Sequence, residues 1–282
     1  MSLIFLIILK YRGTIKHMEL LKEIQKFKII DSHMHLGIGP NVLYYNYSDE
    51  RVCELQKKFN VKISICSHCI SIFNNLSFQI KEIEKAQEKF GGYFYWNLVY
   101  DPNKALKSLK IIEDNKSKIN FAGIKIHPVV HETKIDSKLY EPLWEYAESE
   151  NIVISAHTWS PYTDNPKQFN GNPLLFETVL QKYPKLKIIL GHSGGKVSFY
   201  PEVINFVSRH ENVYMDFSGD CIYPPVFKMV IEKAGKGRIL FGTDMPMMDI
   251  RYHIASVLAA DIENSDREDI FYNNAAKLYN FS

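Results

Sequence analysis

Cysteine is scarce in this chain. The 282 residues hold only Cys53, Cys66, Cys69 and Cys221, too few and too scattered for a disulfide framework, which favours a reducing cytoplasm. Charge of one sign is missing as well. Lys and Arg total 34 against 32 Asp and Glu, a formal net charge of +2, and the signs mix along the predicted helices, so no footprint for nucleic acid exists. An apolar run over 3–9 is far shorter than the roughly 20 residues of a membrane span. Its first basic residue, Lys10, follows the run, the reverse of a signal peptide. The expectation is a protein without membrane segments, in which 1–17 are an upstream extension, with a packing or interfacial helix as the alternative, and 18–282 a single domain. No low-complexity stretch, coiled-coil heptad or Pro/Gly/Ser linker divides it.

What the chain does have is Asp31-Ser32-His33-Met34-His35, placed where an apolar run closes at Ile30. Side chains two apart on a strand share a face, so His33 and His35 can grip one ion. The pattern of an apolar run ending in a polar or ionisable residue recurs in Ile124-Lys125-Ile126-His127, in 152–157 ending at His157, in 188–192 ending at His192, and in 239–244 ending at Asp244. A core has no reason to place histidines repeatedly at the same end of its strands. An α/β barrel does, because its active site forms at the C-terminal ends of the strands.

The spacing agrees. Strands are predicted to begin near Lys28, Val61, Tyr93, Ala122, Ile152, Lys187, Asn212 and Arg238, with helices over 49–60, 79–90, 103–116, 137–150, 173–183, 201–209, 224–234 and 250–263. Apolar residues recur in these helices at three- and four-residue spacing, as in Leu139, Leu143, Tyr146 and Ala147. Eight such units fill the chain as a (β/α)8 TIM barrel, slightly distorted, carrying a metal site at the C-terminal ends of its strands.

Three imidazoles, His33, His35 and His157, with the Asp244 carboxylate form a credible donor set for zinc or another divalent metal, with a position left open for water. One ion is the leading count and two the alternative. Asp244 can be both ligand and proton carrier. His192 either completes a second metal position or orients water and stabilises developing charge. Lys125 has three readings: a cation for a substrate carboxylate, a salt-bridged core residue, or a carboxylated lysine bridging two metals. His127 shares its strand. Tyr44, Tyr45, Tyr47, Trp159 and Tyr162 are candidates to wall a pocket, and Asp216 to hold a substrate hydroxyl or amine, against packing or capping alternatives. Ser193-Gly194-Gly195 reads as amide donors to an oxyanion or as a tight turn, and Cys66-Ser67-His68-Cys69 as half a zinc knuckle with no second Cys pair to complete it or, in preference, a strand end turning into a loop.

In the motifs Ile-Asp-Ser-His-Met-His, Gly123-Ile-Lys-Ile-His-Pro128, Leu190-Gly-His-Ser-Gly-Gly195, Phe241-Gly-Thr-Asp-Met-Pro246 and Asn274-Ala-Ala-Lys-Leu-Tyr279, the chain resembles the amidohydrolase superfamily. It is most similar to the "amidohydrolase 2" group, which includes aminocarboxymuconate semialdehyde decarboxylase. The resemblance implies His33, His35, His157 and Asp244 as ligands and His192 as catalytic residue or ligand. It places Lys125 at the position of the bridging lysine of two-metal members such as dihydroorotase. The expected activity is that of a metal-dependent hydrolase, in which a metal-activated water attacks an amide, lactone or ester carbon of a small carboxylated molecule. The alternative is a metal-dependent, non-oxidative decarboxylase on the same barrel, with a catalytically inactive metal-binding barrel more distant. A small-molecule substrate and a homo-oligomer are the expected partners.

Overall fold

The computed structural model describes residues 17–37, 47–73 and 76–281. The expected extension, apart from His17, and the aromatic residues Tyr44 and Tyr45 lie outside the described residues. Eight parallel strands pair in sequence order: β1 Ile29–Leu36, β2 Val61–His68, β3 Phe94–Val99, β4 Phe121–Ile126, β5 Val153–His157, β6 Lys187–Gly191, β7 Val213–Asp216 and β8 Ile239–Leu240. Each begins within one residue of its predicted start. The helices that follow them are α1 Asp49–Lys58, α2 Gln79–Phe90, α3 Ala105–Asn115, α4 Glu141–Ser149, α5 Phe176–Lys182, α6 Tyr200–Val207, α7 Pro225–Ala234 and α8 Ile250–Leu258. This is the predicted (β/α)8 barrel.

Two departures from the helix pattern have local causes. Leu139 falls in a 3-10 turn, Lys138–Tyr140, and is exposed, because Pro142 sets the start of α4 after it. Tyr140 and Trp144 fill the core in its place. The segment before α5 winds through 3-10 turns at Pro166–Gly171 and Pro173–Leu175, each started by an Asn side chain capping the chain ahead of a proline.

The distortion lies at the seam. β8 is two residues long, and the next residues close the barrel on β1 singly: Ser32 N donates to Phe241 O at 2.9 Å, Asp244 N to His33 O at 2.8 Å, and His35 N to Met245 O at 2.6 Å. The loop bearing Asp244 is therefore stitched to the strand bearing both histidines. A second apolar cluster joins Ile30, Ile65, Val153, Ile189 and Leu240 to Ala275 and Leu278 of the helix Asn274–Tyr279. That helix covers the barrel at the end opposite the histidines. Among the described residues no helix is long and apolar enough to cross a membrane.

Candidate metal centre and active site

The register of β1 against β2 shifts between Asp31 and Met34, a bulge of the kind that re-aims a side chain near a site. The Asp31 carboxylate fastens this bulge. It accepts from His33 N at 3.2 Å, Thr243 N at 3.1 Å, Thr243 Oγ1 at 2.6 Å and Gln56 Nε2 at 2.5 Å. Burial pushes its carboxyl up to about 7 against the pull of these bonds. Asp31 thus binds the two segments that carry the site without entering it.

The ring nitrogens of His33 and His35 can be assigned from their partners. His35 Nδ1 lies 2.9 Å from Ser67 O, which can only accept, so Nδ1 carries a hydrogen and Nε2 is the nitrogen turned to Asp244. His33 Nδ1 lies 3.0 Å from Asp216 Oδ2, and Asp216 is fully buried. Burial raises the Asp216 carboxyl, but the neighbouring His33, His192 and Ser218 outweigh it and hold it well below the usual range. His33 therefore also donates through Nδ1 and keeps its lone pair on Nε2. Burial, then Lys125, lowers His33 to about 4, so its ring stays neutral. Both Nε2 atoms face one carboxylate oxygen: Asp244 Oδ1 is 3.1 Å from His35 Nε2 and 3.8 Å from His33 Nε2. The Asp244 carboxyl, raised by burial, is pulled below its ordinary range by the His35 contact and the surrounding imidazoles. The ligand atoms of His33, His35 and Asp244 lie within 4.8 Å of one another, and two imidazoles with a carboxylate suit zinc, manganese or a similar divalent ion. The carboxylate behind His33 Nδ1 is the support that metal-bound histidines use.

The neighbouring strands complete the site. His192 N and Ser218 N donate to Asp216 Oδ1 at 3.0 and 3.1 Å, Ser218 Oγ does so at 2.5 Å, and His192 Nδ1 lies 3.1 Å from Ser218 O. His192, Ser193 and Asp244 have φ of 64°, 47° and 59°, a left-handed backbone costing about 1–3 kcal/mol each in non-glycine residues and concentrated at functional sites. Gly191 leaves room for His33: a Cβ there would stand 2.9 Å from His33 Cε1. Ser218 carries no signal in the sequence beyond lying two residues after Asp216.

Lys125 is 1% exposed, and its Nζ lies 2.8 Å from His33 Nε2. No carboxylate comes within 4.0 Å of it among the described residues, so it is not the salt-bridged core residue that sequence allowed. Burial lowers it to about 8 despite Asp244 and Asp216. Beside it the His127 and His157 rings stack at 4.1 Å and 11°, and Trp159 lies parallel to His157 at 6.2 Å and 4°. Burial, then neighbouring positive groups, drives both imidazoles well below their usual range.

Several expectations are placed differently. The ligating atoms within 4.8 Å of one another belong to His33, His35 and Asp244, and to His33, His192 and Asp216; His157 joins neither group, its Nε2 lying 3.4 Å from Gln168 Oε1. Asp216 faces His33 and His192 from below and has no surface to offer a substrate. The Gly194 and Gly195 amides are engaged, with Thr158 Oγ1 at 3.2 Å and His192 O at 2.8 Å, in a tight turn. β2 ends at His68 and Cys69 opens a short helix, Cys69–Phe73. Tyr47 OH donates to Asp249 Oδ2 at 3.0 Å.

The family profile described as amidohydrolase (Amidohydro_2) matches residues 80–281. Among curated proteins, the gamma-resorcylate decarboxylase of Polaromonas sp. is 24% identical over 245 residues, 72% of this chain and 74% of that protein. The 2-amino-3-carboxymuconate-6-semialdehyde decarboxylase of Caenorhabditis elegans is 22% identical over 264 residues, 71% of this chain and 64% of that protein. Among solved structures, the 5-carboxyvanillate decarboxylase of Sphingomonas paucimobilis superposes with a TM-score of 0.70 at 14% identity, over 91% of this chain and 100% of that one. The 2,6-dihydroxybenzoate decarboxylase of Rhizobium gives 0.66 at 19% identity, over 90% and 99%. The expected hydrolase activity is corrected by these relatives, whose names are those of decarboxylases. The signature motifs belong to the superfamily and not to one reaction, so the ligand residues do not decide between hydrolysis and decarboxylation. Eight strands in order, converging imidazoles and carboxylate, and a profile match over most of the chain make it a member of the amidohydrolase family, a metal-dependent enzyme superfamily.

Proposed function

We propose that the chain is a metal-dependent, non-oxidative decarboxylase of a small, planar carboxylic acid. The observation that carries this reading is Lys125: a buried cation with no carboxylate partner among the described residues, 2.8 Å from the His33 nitrogen at the centre of the site. A buried charge needs a partner, and a substrate carboxylate supplies one. The decarboxylase names of the relatives point the same way.

In this reading His33, His35 and Asp244 would hold one divalent ion, zinc and manganese being the leading candidates; a solved 5-carboxyvanillate decarboxylase holds manganese. When bound, the ion supplies a Lewis acid that orients the acid and stabilises negative charge. Lys125 receives the carboxylate. The parallel rings of His127, His157 and Trp159 wall the pocket for a flat substrate. The bond between the carboxyl carbon and its neighbour breaks with both electrons left on the neighbour, carbon dioxide departs, and a proton takes its place. His192 is the proton carrier: its Nδ1 hydrogen is held by Ser218 O, which leaves Nε2 for the substrate. Asp216 orients His33 and does not touch the acid.

The test is a carbon dioxide assay on metal-loaded protein with 2,6-dihydroxybenzoate, 5-carboxyvanillate and 2-amino-3-carboxymuconate-6-semialdehyde, beside a panel of amides, esters and lactones. Carbon dioxide released one for one with loss of an acid supports the proposal. Turnover confined to the hydrolytic panel refutes it.

A further inference from the structure

We infer that Lys125 is a displaceable occupant of the ion site: its Nζ holds the His33 lone pair until an ion takes that lone pair, and the freed Nζ then receives the substrate carboxylate. The inference rests on the proposed ion and acid, and it adds an order to them, ion before carboxylate.

The argument starts from the imidazole. With the His33 Nδ1 hydrogen given to Asp216 Oδ2 at 3.0 Å, Nε2 has one lone pair. Lys125 Nζ, 2.8 Å away, donates into it. One lone pair serves one hydrogen or one ion, so lysine and metal compete for the same electrons. A nearby ammonium would also repel an ion at low local dielectric. The contact is not a rim interaction that water can replace, since His33 is 2% exposed and Lys125 1%. Where it stands, the lysine has no protein carboxylate within 4.0 Å among the described residues. It is therefore left for the one anion that the reaction brings in.

The competition gives a signature that a merely structural lysine does not. Removing Lys125 strengthens ion binding and weakens carboxylate binding, whereas disruption of the site weakens both. The experiment uses the full chain as parent, Lys125→Gln, which keeps a hydrogen-bond donor without charge, and Lys125→Met, which keeps the apolar stem. Zinc affinity is measured by competition with a chromophoric chelator, and benzoate affinity by calorimetry at saturating zinc. Both variants are expected to bind zinc at least about 10-fold more tightly, the scale of one charged hydrogen bond. Benzoate is expected to bind them about 10-fold more weakly. Zinc affinity equal to or below that of the parent in both folded variants overturns the competition. Benzoate affinity unchanged in the variants, or no benzoate binding by the parent, overturns the hand-over to carboxylate. A parent that binds no divalent ion defeats the proposed function, and this inference with it.

Discussion

Asp216→Asn isolates the claim that a carboxylate outside the ligand set decides which His33 nitrogen faces an ion. Asp216 Oδ1 accepts three hydrogens, from His192 N, Ser218 N and Ser218 Oγ at 3.0, 3.1 and 2.5 Å, and Oδ2 accepts one, from His33 Nδ1 at 3.0 Å. Asparagine has one oxygen. Placed at Oδ1 it keeps three bonds and turns its NH2 to His33; placed at Oδ2 it keeps one and sets NH2 against three donors. The first arrangement wins, and it forces His33 to accept at Nδ1 and carry its hydrogen on Nε2. That hydrogen sits where the ion needs electrons. Changes of this kind behind a ligating histidine weaken metal binding about 10- to 100-fold, or about 1.4–2.8 kcal/mol. The assay is zinc competition against a chelator for the parent, Asp216→Asn and Ser218→Ala. Ser218→Ala removes a hydroxyl 3.0 Å from His33 Nδ1 but leaves the carboxylate, so its loss is expected to be the smaller. Circular dichroism and thermal melting show whether the fold is kept. Zinc affinity within about 3-fold of the parent in a folded Asp216→Asn protein, below the lower end of the effect expected for such a support, would refute the tautomer argument.

Two further outcomes follow from burial and close approach. His33 titrates at about 4 in the folded chain against 6.5 when exposed, so the unfolded chain binds protons first on acidification and stability is lost as pH falls from 6.5 towards 4. In chelator-treated protein, urea unfolding is expected to show about 2 kcal/mol less stability at pH 5 than at pH 7.5 from His33 alone. His127 and His157, lowered by the same cause, act in the same direction; equal or greater stability at pH 5 would contradict the neutral imidazoles. Gly195→Ala meets both a φ of 71° and the Trp159 ring, 2.4 Å from the added Cβ. It is expected to cost about 2 kcal/mol or more in chemical denaturation and to change tryptophan emission, and a variant as stable as the parent with an unchanged spectrum would show that the ring is not seated there.

Sequence by itself determined the barrel, and it named candidates for the site. Eight apolar runs with helical patterns between them allow few arrangements, because parallel strands need crossovers and connections keep one hand, and the observed strands begin within a residue of the predicted places. Ending those runs in His33, His35, His127, His157, His192 and Asp244 placed the chemistry at one end of the barrel before any contact was known. Tertiary structure alone decided what each residue faces. Lys125 had three readings in sequence, and its partner, the His33 nitrogen, lies 92 residues away. Asp216 looked like a substrate contact because sequence gives position along a strand but not what stands across the barrel; there it meets His33, 183 residues distant. Ser218 and Asp31 act through hydrogen bonds set by a bulge and by the short β8 seam, which leave no periodic trace. Periodicity records which face of an element is buried, since burial repeats with the backbone. Directed polar contacts between distant segments do not repeat, and only the closed barrel brings them together.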